Sequence, residues 1–120
     1  MADIPPEILD PEVLQTLLSL DDGGFGLVRE MTGLFREDIG SRLEVLDKAW
    51  PSGDIKAVAE MAHAIKGAAG AVGARTLQKL AGDVEKAGRG GDLTPVAPLR
   101  SQLRPAFEAA LAALERFGQG

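Results

Sequence analysis

Apolar residues recur three and four positions apart along almost the whole chain, and the glycines and prolines fall mostly between these runs. At 3.6 residues per turn, that spacing lays one apolar stripe along each of several helices. No segment alternates apolar and polar residues for long, and β-branched residues are sparse, so strands have no support. The core must therefore come from helix packed on helix. A chain of 120 residues has room for one domain and little more.

The pattern predicts five helices, over about 11–20, 25–49, 54–72, 74–87 and 95–117. Asp10 is placed to cap the first, Pro11 suits its first position, and Glu12 favours its positive end. Leu27, Val28, Met31, Leu34, Phe35, Ile39, Leu43, Leu46 and Trp50 mark the apolar side of the long second helix. Asp54 is the expected cap of the third, whose inward stripe is Ile55, Val58, Ala62, Ile65, Ala69 and Val72. The fourth should bury Leu77, Leu80, Val84 and Ala87. Thr94 followed by Pro95 reads as a cap and first-turn proline for the fifth, with a kink near Ser101 to Arg104 because Pro105 lacks an N–H. Short connections favour antiparallel neighbours. The expected fold is all-α: an up-down antiparallel four-helix bundle, with the short N-terminal helix as a lid, in a single domain over 1–120.

Composition removes much chemistry. There is no cysteine, so no disulfide, thiolate nucleophile or zinc ribbon can form, and one histidine cannot build a site of several imidazoles. No calcium loop and no nucleophile elbow is present. Thirteen Lys and Arg against eighteen Asp and Glu give a net charge of −5, which argues against nucleic acid as partner. No apolar run is long enough to span a membrane, and the start lacks a signal-peptide pattern. The chain reads as cytoplasmic, without a membrane partner.

What remains is the one histidine. On an ideal helix His63 points roughly 130° away from the centre of the inward stripe, into solvent. Lys56, Ala59, Glu60, Gly67 and Gly70 share its side, with Lys66 on the flank. Each interior glycine costs about 1 kcal/mol relative to alanine. Gly67 and Gly70 clear side chains from beside the ring, so that a macromolecule can approach, and Lys66 sets a cation within reach of anything attached to it. A phosphoryl group fits that cation. An ordinary imidazole, with a pKa of about 6.5, is mostly neutral and nucleophilic at neutral pH. The plainer reading is a solvated histidine on a helix surface. The joint spacing of His63, Lys66, Gly67 and Gly70 weighs against it.

Residues 62–85 carry a histidine, Lys-Gly three and four positions on, and then Gly73, Leu77 and Glu85. This run resembles the signature of histidine-containing phosphotransfer (HPt) domains of bacterial phosphorelays, and the likeness extends over about residues 9–117. Gly53-Asp54 and Leu9-Asp10-Pro11-Glu12-Val13-Leu14 also look like the family. The resemblance implies that His63 accepts a phosphoryl group from a receiver-domain aspartate and passes it to another. It implies that Lys66 offsets the phosphoryl charge and that Gly67 lets the receiver dock. Gly70, Ala59, Glu60 and Lys56 complete the expected docking face. Gly73 would shape a turn, Leu77 would be core, and Glu85 is given only a structural role at the end of the fourth helix. Ala68 replaces a common serine, Ile65 a common leucine, and Pro105 is unusual.

The implied protein is a phosphoryl carrier and not an enzyme, because no ATP-binding loop is present. It needs no cofactor of its own, and the Mg²⁺ would sit on the receiver. Its partners would be response-regulator receiver domains or a hybrid histidine kinase, and the carrier is expected to be a monomer. Two other readings compete: a phosphoacceptor module served by a chemotaxis-type histidine kinase, and a helical adaptor that binds receivers without transfer. The starting methionine and glycine-rich end favour a free-standing protein over the kinase module.

Overall fold

A computed structural model describes residues 4–120. Helix α1 spans Pro11–Ser19, α2 Gly26–Ala49, α3 Ile55–Val72, α4 Arg75–Arg89 and α5 Arg100–Gly118. A 3-10 segment, Thr94–Leu99, precedes α5, and the described residues contain no strand. Helices α2, α3, α4 and α5 each pack on the next, and α5 closes the ring against α2. The short α1 lies across α2 and α3. The molecule measures 45 × 22 × 19 Å. Its long axis is set by α2, whose 24 residues rise about 36 Å. None of the described helices is long and apolar enough to cross a membrane.

The caps follow from side-chain chemistry. Asp10 accepts a hydrogen bond from the Glu12 N–H, and Asp54 accepts one from Ala57. The stripe on α3 is buried from Val58 to Val72, with Val58, Ala62, Ile65 and Ala69 wholly inaccessible, while Ile55 at the helix start is half-buried. Alanines at 62 and 69 let neighbouring helices approach, and Phe35 of α2 meets Phe107 of α5 at 5.4 Å between ring centres. On α2 the sequence expectation misses one residue: Leu34 is 64% exposed, and Thr32 is buried instead. Thr32 tolerates this because its hydroxyl donates to the Val28 carbonyl, so no polar group is left unpaired. On α4 the buried positions are Leu77, Ala81, Val84 and Gly88, while Leu80 and Ala87 are half-buried.

The fifth helix begins later than its sequence suggests. Residues 94–99 wind as a 3-10 segment, and Thr94 makes no cap: its N–H donates to Asp92. In an α-turn the Pro98 ring would clash with the Thr94 carbonyl four residues back, and that clash favours the tighter winding. The interruption therefore lies upstream of the kink expected at 101–104, and α5 runs from Arg100 through Pro105.

Residues before α1 fasten the turn between α3 and α4. The Asp10 N–H donates to the Gly73 carbonyl, and the Thr76 N–H and hydroxyl both donate to the Glu7 carbonyl. Arg75 grips the Asp10 carboxylate through Nε and one terminal nitrogen. Gly73 itself is left-handed, with φ +77°. A Cβ there would lie 3.0 Å from the Val13 Cβ and 3.1 Å from the Asp10 backbone nitrogen. Only glycine fits both the dihedral and the space.

Candidate functional site

The α3–α4 pair is the most extensive helix contact in the bundle. Two small residues permit it: a Cβ on Gly88 would sit 2.9 Å from the Ala59 Cβ, so the helices touch there almost backbone to backbone. This close approach brings Glu85 of α4 beside His63 of α3. His63 Nδ1 lies 2.7 Å from Glu85 Oε2, and Lys66 Nζ lies 2.7 Å from Glu85 Oε1. Each carboxylate oxygen thus has its own partner. Arg89, one turn further along α4, stands 3.4 Å from Oε2.

Exposure divides the three groups. The Glu85 side chain keeps 12% of its surface, Lys66 keeps 40%, and the His63 ring keeps 61%. Lys66 reaches Glu85 by laying its stem over Gly82, where a Cβ would come 3.4 Å from the Lys66 Cδ. The hydrogen bond from Lys66 holds the Glu85 carboxyl below its ordinary value near 4.5, burial opposes this, and His63 adds to the lowering. An ionised carboxylate can only accept hydrogen bonds. Nδ1 must then carry the proton, which leaves the lone pair on Nε2, at the far side of an exposed ring.

A lowered carboxyl pKa stabilises the fold above the unfolded value, and that contribution is lost as pH falls through the folded value. Asp10 shifts in the same direction, chiefly through its hydrogen bond with Arg75. The melting temperature is therefore expected to fall on acidification below about pH 4.5. Glu85→Gln should flatten that slope. An equal slope in the variant would show that Glu85 does not contribute to it.

The structure sorts the sequence candidates. His63, Lys66 and Gly67 lie together, and Lys56, Glu60 and Gly67 are exposed. A Cβ on Gly67 would meet nothing within 4 Å, so the space beside the ring is open. Two candidates do not belong to that open face. Ala59 is 2% exposed because α4 covers its flank at Gly88. Gly70 is half-buried, and a Cβ there would meet the Gln78 amide nitrogen at 2.8 Å, so its missing side chain makes room for Gln78. Glu85, given only a structural role from the sequence, is the residue that joins the site. Its signal was its place between Ala81 and Gly88, two small residues on the same stripe of α4. Ala68 packs against the core and, with Met31, Leu34 and Phe35, lines an apolar cleft between α2 and α3 of about 330 Å³. Among the described residues, no cluster of three or more His, Asp or Glu side chains is placed to hold a metal.

The bundle thus presents one exposed histidine, held by a carboxylate and flanked by a lysine and a glycine. The chain belongs to the Hpt domain family, whose model matches residues 30–117. Its structure is similar to the crystal structure of histidine-containing phosphotransfer protein B (HptB) from Pseudomonas aeruginosa PAO1. The TM-score is 0.83 at 26% identity, over 93% of this chain and 95% of that one. No curated protein matches the sequence. Family membership brings a histidine phosphotransfer role in phosphorelays, with two-component signalling proteins as partners.

Proposed function

We propose that this chain relays phosphate between receiver domains in the cytoplasm, taking the phosphoryl group on His63 Nε2 from one aspartyl phosphate and giving it to a second aspartate. The observation that carries this reading is the exposed imidazole whose Nδ1 is engaged by Glu85 at 2.7 Å. The Nε2 lone pair attacks phosphorus in line. The P–O bond to the receiver aspartate breaks, the P–Nε2 bond forms, and the aspartate leaves as a free carboxylate. The Nδ1 proton stays on the ring, where Glu85 offsets the positive charge that develops. Attack on phosphorus by a second receiver's aspartate reverses each step and returns the ring to its neutral form.

Lys66 supplies the local cation. Its partly exposed side chain can turn from Glu85 Oε1 towards the phosphoryl oxygens without moving the backbone. Mg²⁺ and most transition-state stabilisation belong to the receiver, since phosphoryl transfer depends mainly on positioning and electrostatics. The chain acts as a monomeric carrier with no cofactor and no kinase activity of its own.

Incubation with a phosphorylated receiver should yield an acid-labile, base-stable phosphoprotein. Absence of label from every receiver of the source organism would overturn the proposal. Gly67→Gln separates docking from folding. A glutamine in the open space beside the ring should obstruct the receiver, and a clash of about 1–3 kcal/mol slows transfer roughly five- to hundredfold. The same change removes a helical glycine, so the variant should melt higher than the wild type. Unchanged transfer would show that Gly67 does not face the partner.

A further inference from the structure

The chain is acidic as a whole, but its charge is segregated. Residues 55–89 hold six Lys and Arg against three Asp and Glu, a local balance of +3 within a chain of −5. The rest of the molecule therefore carries −8. The cations of this hairpin are also ordered. Arg75, Lys79, Gly82, Lys86 and Arg89 follow at spacings of four, three, four and three along α4, which places them on one stripe. All four charged members are exposed. The one gap, at Gly82, is where the Lys66 stem crosses from α3. The result is a row of five cations about 21 Å long, running beside His63.

Four of the five cations already meet a carboxylate, with Lys66 and Arg89 sharing Glu85, so the free charge of the row centres on Lys86. Glu85 is almost covered and already engaged with His63 and Lys66. Asp83 meets Lys79 at 3.4 Å, and Asp10 holds Arg75. Lys86, next to Glu85 in sequence, and Lys56, two turns before His63, form no ion pair among the described residues. The cleft on the other flank of α3 is apolar, so the two sides of His63 differ in chemistry.

We propose that the cationic stripe of α4 is a docking rail for an acidic protein surface, the rim around the phosphorylated aspartate of the partner. This rests on the phosphorelay reading. A site that holds Mg²⁺ beside an aspartyl phosphate combines the phosphoryl charge with one or two carboxylates on the metal, which makes its rim acidic. Such a rim meets a positive row on one side only, so the stripe both speeds encounter and sets which way round the partner lies. A nucleic acid would find the same cations but would be repelled by the −8 of the remaining surface.

The test is charge reversal on the stripe and away from it. Transfer from a phosphorylated receiver is measured for the wild type, for Lys86→Glu, and for Arg116→Glu on α5, which makes the same change in net charge. At about 0.1 M salt Lys86→Glu should lower kcat/KM by roughly three- to tenfold, while the rate at saturating receiver is unchanged. Arg116→Glu should stay within about twofold, since screening confines exposed charges to local effects. The Lys86→Glu deficit should shrink as salt is raised. Equal behaviour of the two reversals, or a loss confined to the saturating rate, would overturn the docking rail. So would wild-type binding of a DNA duplex at physiological salt that Lys86→Glu abolishes. If the wild type takes no phosphoryl group from any receiver, the relay reading itself falls. If it transfers normally and Lys86→Glu transfers equally well, only the rail falls.

Discussion

Replacing His63 by glutamine is expected to abolish phosphoryl acceptance and leave the melting temperature almost unchanged. The first half follows from the count of one histidine in 120 residues: no second imidazole can take over. The second half follows from the surroundings. The ring is 61% exposed and fills no part of the core. Its removal does not strand Glu85, because Lys66 remains at 2.7 Å on the other oxygen. Exposed substitutions of this kind stay within about ±0.5 kcal/mol. Labelling of the variant at the wild-type level would remove His63 from the mechanism. A large fall in melting temperature would show instead that the ring is part of the fold.

Gly73→Ala should produce the opposite pattern, a large loss of stability at a position that touches no phosphate. Alanine at φ +77° is strained by about 1–2 kcal/mol. Its Cβ would also press on Val13 and on the Asp10 backbone, which have no flexible end to give way. Overpacking of this kind adds about 1–3 kcal/mol. The total, roughly 2–5 kcal/mol, is a large share of a typical domain's stability of about 5–15 kcal/mol. Gly53 is the control. It has the same φ of +77° but open space around it, so Gly53→Ala should show the strain alone. Chemical denaturation of both variants measures the difference. Equal losses would mean that the contacts with residues 10 and 13 cost nothing.

Much of this molecule is legible one helix at a time. The α3 stripe, the Asp10 and Asp54 caps and the solvent-facing histidine all follow from a helix's own period and chemistry. What escaped depends on where a second helix lies. Ala59 and Glu60 are neighbours that both fall on the His63 side of the wheel, yet only Ala59 is covered, because α4 approaches from that flank. Gly70 looks like a docking gap until Gln78 is seen to fill it. Glu85 reads as a helix-end carboxylate, since nothing at position 85 alone says that Gly88 lets α4 sink against α3. The late start of α5 has a local cause that was visible in the sequence. Pro95 is compatible with a first helical turn, but Pro98 three residues later is not.

The turn at Gly73 also places the site in the chain's folding order. His63 and Glu85 are 22 positions apart, whereas the bond from Arg29 to the Gly118 carbonyl spans 89. Loop-closure entropy grows with the logarithm of that separation, so bringing the two site residues together costs about 1 kcal/mol less than closing the bundle's ends. A helical hairpin is also among the faster structures to form. The imidazole therefore meets its carboxylate within one local unit, and the register between them does not wait for the two ends of the chain to find each other.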